Sequence, residues 1–149
     1  MTKKLNVLMV TESFYPDGIG GAHTYVYNLS KTLVELGHSV CVITIKTKED
    51  SLAEERIEGI HVLRYKTALS GPFLFIRRPL RSVINAGRLF CYIAKRVKFD
   101  LINFHSSLPA FGINFCSDSR EIPKIYTFHS SMVDEVKIQI KKSNISPHF

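Results

Sequence analysis

An aliphatic run, LNVLMV at residues 5–10, leads into FYPDGIGG at 14–21, then into a helical repeat and a second aliphatic run, SVCVITI at 39–45. This order of strand, loop, helix and strand narrows the possible folds more than any other feature of the chain. Apolar strands that do not alternate with polar residues are buried on both faces, as parallel sheets require. Between them, Ala22, Tyr25, Val26, Leu29, Leu33 and Leu36 recur at spacings of three and four and so share one helix face. Gly37 suits a left-handed cap that stops the helix. Two such strands joined through a helix form a right-handed parallel crossover.

The alternation continues. EGIHVLRYK at 58–66 reads as a third strand. Residues 67–79, with Gly71, Pro72 and Pro79, read as a loop before a helix over 80–97. FDLINF at 99–104 is a fourth strand, 109–116 a short helix, IPKIYTF at 122–128 a fifth strand and 131–142 a last helix. There is no internal repeat and no linker. The expectation is one α/β domain over 1–149, a Rossmann-like doubly wound parallel sheet. At 149 residues and 45% hydrophobic content the chain can build a core, and no apolar run approaches the ~18 residues of a membrane span. MTKKLNVLMV lacks the small-residue cleavage site of a signal peptide and reads as strand.

Cys41, Cys91 and Cys116 are far apart, sit in apolar runs and form no C-x-x-C pair. They are expected to be buried, reduced thiols, as in a cytoplasmic protein. The net charge is +7, and no acidic residue occurs between Glu58 and Asp100. Such a basic stretch suits an anionic partner: nucleic acid, a phosphorylated substrate or a membrane. Nucleic acid is disfavoured, because the aromatic residues lie on the apolar face instead of alternating with cations as stacking platforms. In GPFLFIRRPLR, Phe73 and Phe75 stand beside Arg77, Arg78 and Arg81. An apolar tip ringed by cations suits peripheral docking on the inner face of an anionic membrane. An ordinary solvated helix over core phenylalanines is the alternative.

In a doubly wound sheet, ligands lie beyond the carboxyl ends of the strands. Gly18, Gly20 and Gly21 occupy the loop after the first strand, where bare backbone and a helix N-terminus favour phosphate. The loop is no dinucleotide fingerprint: His23 stands where the third glycine would be, and Lys46 follows the second strand where an acid is expected. No G-K-[ST] follows either, and a plain tight turn is also compatible. His105 and Ser106 come just after the fourth strand, and His129 and Ser130 just after the fifth. A parallel sheet brings both strand ends to the edge that carries the glycine loop, making these residues cleft-lining candidates. His23 either joins them or simply starts the helix.

The segment from MVTESFYPDGIGGAHTYVYNL to GHSVCVIT, with IEGIHVLRY, FDLINFHSSLP and IPKIYTFHSS in that order, resembles the N-terminal, acceptor-side half of retaining family-4 glycosyltransferases of the GT-B fold. The resemblance spans roughly residues 4–135. It implies that Gly20 and Gly21 approach the diphosphate of a nucleotide-sugar donor and that His129 is the catalytic histidine beside the donor sugar. His105 matches the second histidine of a D-x-x-H-x-H stretch, and Asn103 replaces the first, so that role does not carry over. It implies a saccharide or lipid-linked acceptor, and neither a metal nor a further cofactor.

The family pairs this half with a C-terminal domain that binds the nucleotide and bears E-x7-E, a spacing absent here. One wall of a cleft neither excludes water nor fixes attack geometry. The isolated chain is therefore expected to be inactive, its missing half supplied in cis or in trans. The competing reading is a non-catalytic binding module that pairs with a separate donor-binding chain. An oxidoreductase with Lys46 and Lys48 near a phosphorylated ribose fits poorly.

Overall fold

The computed structural model describes residues 3–18, 21–67 and 70–129. Gly20, Ser130 and the helix expected over 131–142 lie outside them. Among the described residues, six strands and three α-helices follow in order: β1 (Asn6–Val10), α1 (Gly21–Glu35), β2 (Ser39–Ile45), β3 (Glu54–Ile57), β4 (Ile60–Tyr65), α2 (Leu74–Ala94), β5 (Leu101–Phe104), α3 (Ser107–Asn114) and β6 (Lys124–Tyr126). The sheet order is β3-β4-β2-β1-β5-β6. The fold is α/β and Rossmann-like, with the first strand at the centre of the sheet.

Alternate residues of the strands face opposite sides. Leu8, Val10, Ile43, Ile45 and Leu63 pack under α2 and α3, together with Phe90, Phe99 and Ile113. Val7, Met9, Val42 and Val62 pack against Val26 and Leu29 of α1 on the other face. Truncating a fully buried ring such as Phe90 in this core costs about 3–5 kcal/mol. The two helices of the first face cross closely at glycine: a Cβ on Gly87 would stand 2.8 Å from the Gly112 carbonyl oxygen, and one on Gly112 only 1.9 Å from that of Val83. Gly37 ends α1 at φ 90°, with its N–H on the Val34 carbonyl at 2.9 Å and that of His38 on Leu33 at 3.0 Å, the left-handed cap expected of it.

Three expectations are corrected. The sheet is not wholly parallel, because β3 runs antiparallel to β4. Glu58 and Gly59, at φ 47° and 83°, form the tight hairpin between them, since left-handed backbone at both central residues matches the twist of paired strands. Glu54, Glu55 and Arg56 hide that strand from any hydrophobic pattern. The second correction is that α2 starts at Leu74, inside the segment read as loop. Left-handed Phe73 precedes it, and the Phe73 carbonyl accepts from Ile76 at 3.0 Å and Arg77 at 2.9 Å to close the first turn. Pro79 sits within this helix, where it removes one backbone donor. The third concerns the cysteines: Cys91 and Cys116 are joined as a disulfide between α2 and the end of α3. Cys41 alone is a free, buried thiol, and burial, with a smaller push from Glu54, raises its pKa to about 12.

Candidate functional site

β1 is flanked by β2 on one side and β5 on the other, both parallel to it. The strand order turns about β1, with β2 and β4 winding away on one side and β5 and β6 on the other, and at such a switch point a crevice opens beyond the carboxyl ends. The next residues of β5 and β6 are drawn to this rim. The N–H of His105 donates to the Val10 carbonyl at 2.8 Å, and that of Thr127 donates to Phe104, also at 2.8 Å. Asn103, which took no role from the family motif, accepts from the Thr127 hydroxyl at 2.9 Å and so ties the two strand ends together.

His105 and His129 meet there. Nδ1 of His105 lies 2.9 Å from Nε2 of His129, and the rings stack with centroids 5.2 Å apart. Tyr25, from the second turn of α1, sets its ring edgewise to both, at 6.1 Å from His105 and 5.3 Å from His129. His105 is buried, and its Nε2 has no hydrogen-bond partner. Burial, and secondarily the neighbouring His129, lower its pKa to about 4, so the ring is neutral near pH 7. An unpaired buried acceptor costs less than an unpaired buried N–H. His105 therefore carries its proton on Nδ1 and donates it to His129. Nε2 of His129 meets that donor, so its Nδ1 is turned away from its partner.

The loop after β1 is fixed by side chains. The Ser13 hydroxyl hydrogen-bonds the His23 ring, 2.5 Å from Nδ1. A Cβ on Gly18 would fall 2.9 Å from both Cγ of His23 and Oγ of Ser13, so this glycine serves the packing of the loop itself. Gly21 differs. A Cβ there would meet nothing within 4 Å, and its φ lies outside the left-handed region. Ser106 Oγ accepts from the Glu12 N–H at 3.0 Å, joining the β5 rim to the first loop. Asp17 anchors the other side: its carboxylate accepts from Arg64 Nε at 3.0 Å and from Ser51 Oγ at 2.9 Å. Arg64 also pairs with Glu55 and donates to the Leu52 carbonyl at 3.1 Å, and its NH2 group has no partner.

Of the residues expected to line a site, His105 and His129 are in contact, Ser106 reaches the first loop, and His23 is engaged by Ser13. Gly18 and Gly21 flank the undescribed residues of the loop. Phe73, Phe75, Arg77, Arg78 and Arg81 gather at the start of α2, where Phe73 is 68% and Phe75 78% exposed. Sequence reasoning missed Tyr25, which it assigned to the apolar helix face, and the Asp17–Arg64 pair. Tyr25 could have been found by counting from the helix start, because a residue one turn in from the rim reaches back over it. Among the described residues, no group of three or more His, Cys, Asp or Glu could hold a metal ion, and no helix is long and apolar enough to cross a membrane.

The family model described as Glycosyltransferase Family 4 matches residues 19–147. One subunit of the human phosphatidylinositol N-acetylglucosaminyltransferase is 27% identical over 131 residues, which make up 87% of this chain and 26% of that protein. The alpha-monoglucosyldiacylglycerol synthase of Acholeplasma laidlawii is 28% identical over 136 residues, 87% of this chain and 31% of that one. The chain thus spans between a quarter and a third of these relatives. Sucrose-phosphate synthase from Thermosynechococcus elongatus superimposes with a TM-score of 0.64 at 16% identity, over 97% of this chain and 41% of that structure. A likeness at that identity speaks for the shared fold alone.

Proposed function

This chain belongs to glycosyltransferase family 4, and on that premise we propose that it forms one wall of a cleft in which a sugar passes from a nucleotide-diphosphate donor to a lipid-linked acceptor with retained configuration. The observation that carries the reading is Gly21. Neither backbone conformation nor any neighbouring atom calls for glycine there. It opens α1, where unpaired amides and the helix dipole favour a diphosphate, and a side chain would hold that anion off.

The chemistry divides among the residues of the rim. The loop of Gly18, Gly20 and Gly21 stabilises charge as the nucleotide diphosphate leaves. His129, exposed at the mouth, contacts the donor sugar through its Nδ1 edge, since Nε2 is occupied by His105. His105 stays neutral and holds that orientation. Tyr25, half exposed, offers an apolar wall to a sugar ring. A second wall, supplied in cis or in trans, excludes water and holds most of the nucleotide.

The acceptor side is assigned to lipid for two reasons. Both relatives carry names that concern lipids, phosphatidylinositol and a diacylglycerol. In this chain, Phe73, Phe75 and Ile76 project at 68%, 78% and 53% exposure beside Arg77, Arg78 and Arg81, which suits peripheral association with an anionic membrane.

The test is a transfer assay with a panel of nucleotide-diphosphate sugars and lipid acceptors. It is run on the 149-residue chain and on the longest in-frame polypeptide that contains it, with His129→Ala as control. Transfer by the longer form, reduced about 100-fold or more in His129→Ala, is expected. Transfer by the short chain alone defeats the one-wall reading, and full activity of His129→Ala defeats the assigned role of His129.

A further inference from the structure

A second depression opens on the rim that bears the histidine pair, beyond the ends of β2 and β4. It measures about 370 Å3 and is lined by Lys46, Lys48, Glu49, Lys66 and Thr67. Three lysines against one glutamate leave a formal charge of +2 on its walls. Among the described residues, Lys46 and Lys66 take part in none of the ion pairs, and Lys48 only approaches Asp17 at 4.0 Å. Cations gathered in one concavity with so little to neutralise them attract an anion instead of supporting the fold.

The backbone beneath them is pinned. The Lys46 N–H donates to the Tyr65 carbonyl at 2.8 Å, the Asn85 amide donates to the Lys66 carbonyl at 2.7 Å, and the Thr67 hydroxyl donates to the Arg78 carbonyl at 3.0 Å. Beside it lies a mostly apolar cavity of about 520 Å3, walled by Ile45, Leu74, Phe75, Pro79 and Leu108, with Glu12, Arg78 and Ser82 as its polar lining. The two lie close together, since Ile45 precedes Lys46 and the Thr67 hydroxyl donates to the Arg78 carbonyl. A cationic seat close to a largely apolar trough, with the exposed Phe75 on the trough's wall, has the polarity of an amphiphile whose anionic group lies next to its hydrocarbon.

We infer that the lipid acceptor carries a phosphate, seated among Lys46, Lys48 and Lys66, with its chains running past Leu74, Phe75 and Pro79. The inference rests on the lipid-acceptor reading above and adds the headgroup chemistry and the residues that recognise it. Lysine suits the task because an ammonium on a flexible stem meets a phosphate without imposing one orientation.

The experiment is co-flotation of the full chain with vesicles of phosphatidylcholine alone or with one fifth phosphatidylinositol. Wild type is compared with Lys46→Gln/Lys66→Gln and with Lys95→Gln/Lys98→Gln. The second pair removes the same charge beyond the far end of α2, about 15 Å along the helix from Asn85, which bonds Lys66, and outside the ~8–10 Å reach of screened fields. Each cation at an anionic surface contributes about a fivefold gain in affinity, so the first pair should weaken binding to phosphatidylinositol vesicles about 25-fold. The second pair should change it less than about twofold, and neither should alter the weak binding to phosphatidylcholine. Equal losses from the two pairs would reduce the effect to the general field of a basic protein and overturn the inference. Association of wild type with both vesicles alike would overturn it too, while leaving the lipid reading in place. Failure to bind either vesicle would overturn both.

Discussion

Arg64 on β4 donates from Nε to the Asp17 carboxylate at 3.0 Å, across 47 positions of the chain. Both side chains are almost wholly buried, at 1% and 6% exposure. The pair fastens the loop after β1 to the far side of the sheet. Removing one member strands a buried charge, which typically costs 3–5 kcal/mol; Glu55 remains as a second partner for Arg64 and softens the loss. Asp17→Ala should therefore lower unfolding stability by about 2–3 kcal/mol in urea titration. It should also speed amide exchange in the segment around residues 12–18.

His105 predicts a pH dependence of stability. Its pKa falls from about 6.5 in the unfolded chain to about 4 in the fold. Between these values the unfolded state binds a proton that the folded state refuses, so stability declines as pH drops. The contribution is intact above pH ~6.5 and is lost progressively down to pH ~4, amounting to at most about 3 kcal/mol. Chemical denaturation at a series of pH values should show this slope, and His105→Gln should flatten it.

The glycine crossing of α2 and α3 predicts a steep steric penalty. A methyl group at position 112 would lie 1.9 Å from a backbone oxygen that belongs to the other helix. Gly112→Ala should cost about 3 kcal/mol or more, at the upper end of overpacking effects, and Gly87→Ala somewhat less. Thermal melting compared with Gly21→Ala isolates the effect, because position 21 has open space around it. Gly21→Ala should leave the melting temperature within a few degrees.

The cysteines predict a thiol count. Cys91 and Cys116 are joined, and Cys41 is buried with a raised pKa. Native protein purified without reductant should react negligibly with a thiol reagent, because the thiolate is the reactive form. Unfolded without reductant it should expose one thiol per chain; three would show that the bridge is open.

Much of this architecture was readable from spacing alone. β1, α1 and β2 announce themselves through unbroken aliphatic runs and a clean helical repeat, because both patterns follow from burial. β3 gives no such sign: its residues are mostly charged and it lies at the edge, so its existence depends on the hairpin at Glu58 and Gly59. The start of α2 was hidden by Pro72 and Pro79, which signal a loop locally but are tolerated near a helix start that packing supports. At the rim, His105 and His129 could be assigned to one edge because parallel strands end together. Their direct contact, and the edgewise approach of Tyr25 to both rings, depend on helix rotation and side-chain direction, which spacing does not encode. The Asp17–Arg64 pair is the same kind of relation, set by tertiary position alone.

The glycine crossing has a mechanical meaning as well. α2 opens beside the exposed Phe73 and Phe75, while α3 opens two residues after His105. With backbones interlocked at Gly87 and Gly112 and a covalent link between Cys91 and Cys116, the helices cannot slide past each other. They form one stiff unit, and its aromatic tip and the start of α3 lie at the same end, where Phe75 and Leu108 line one cavity.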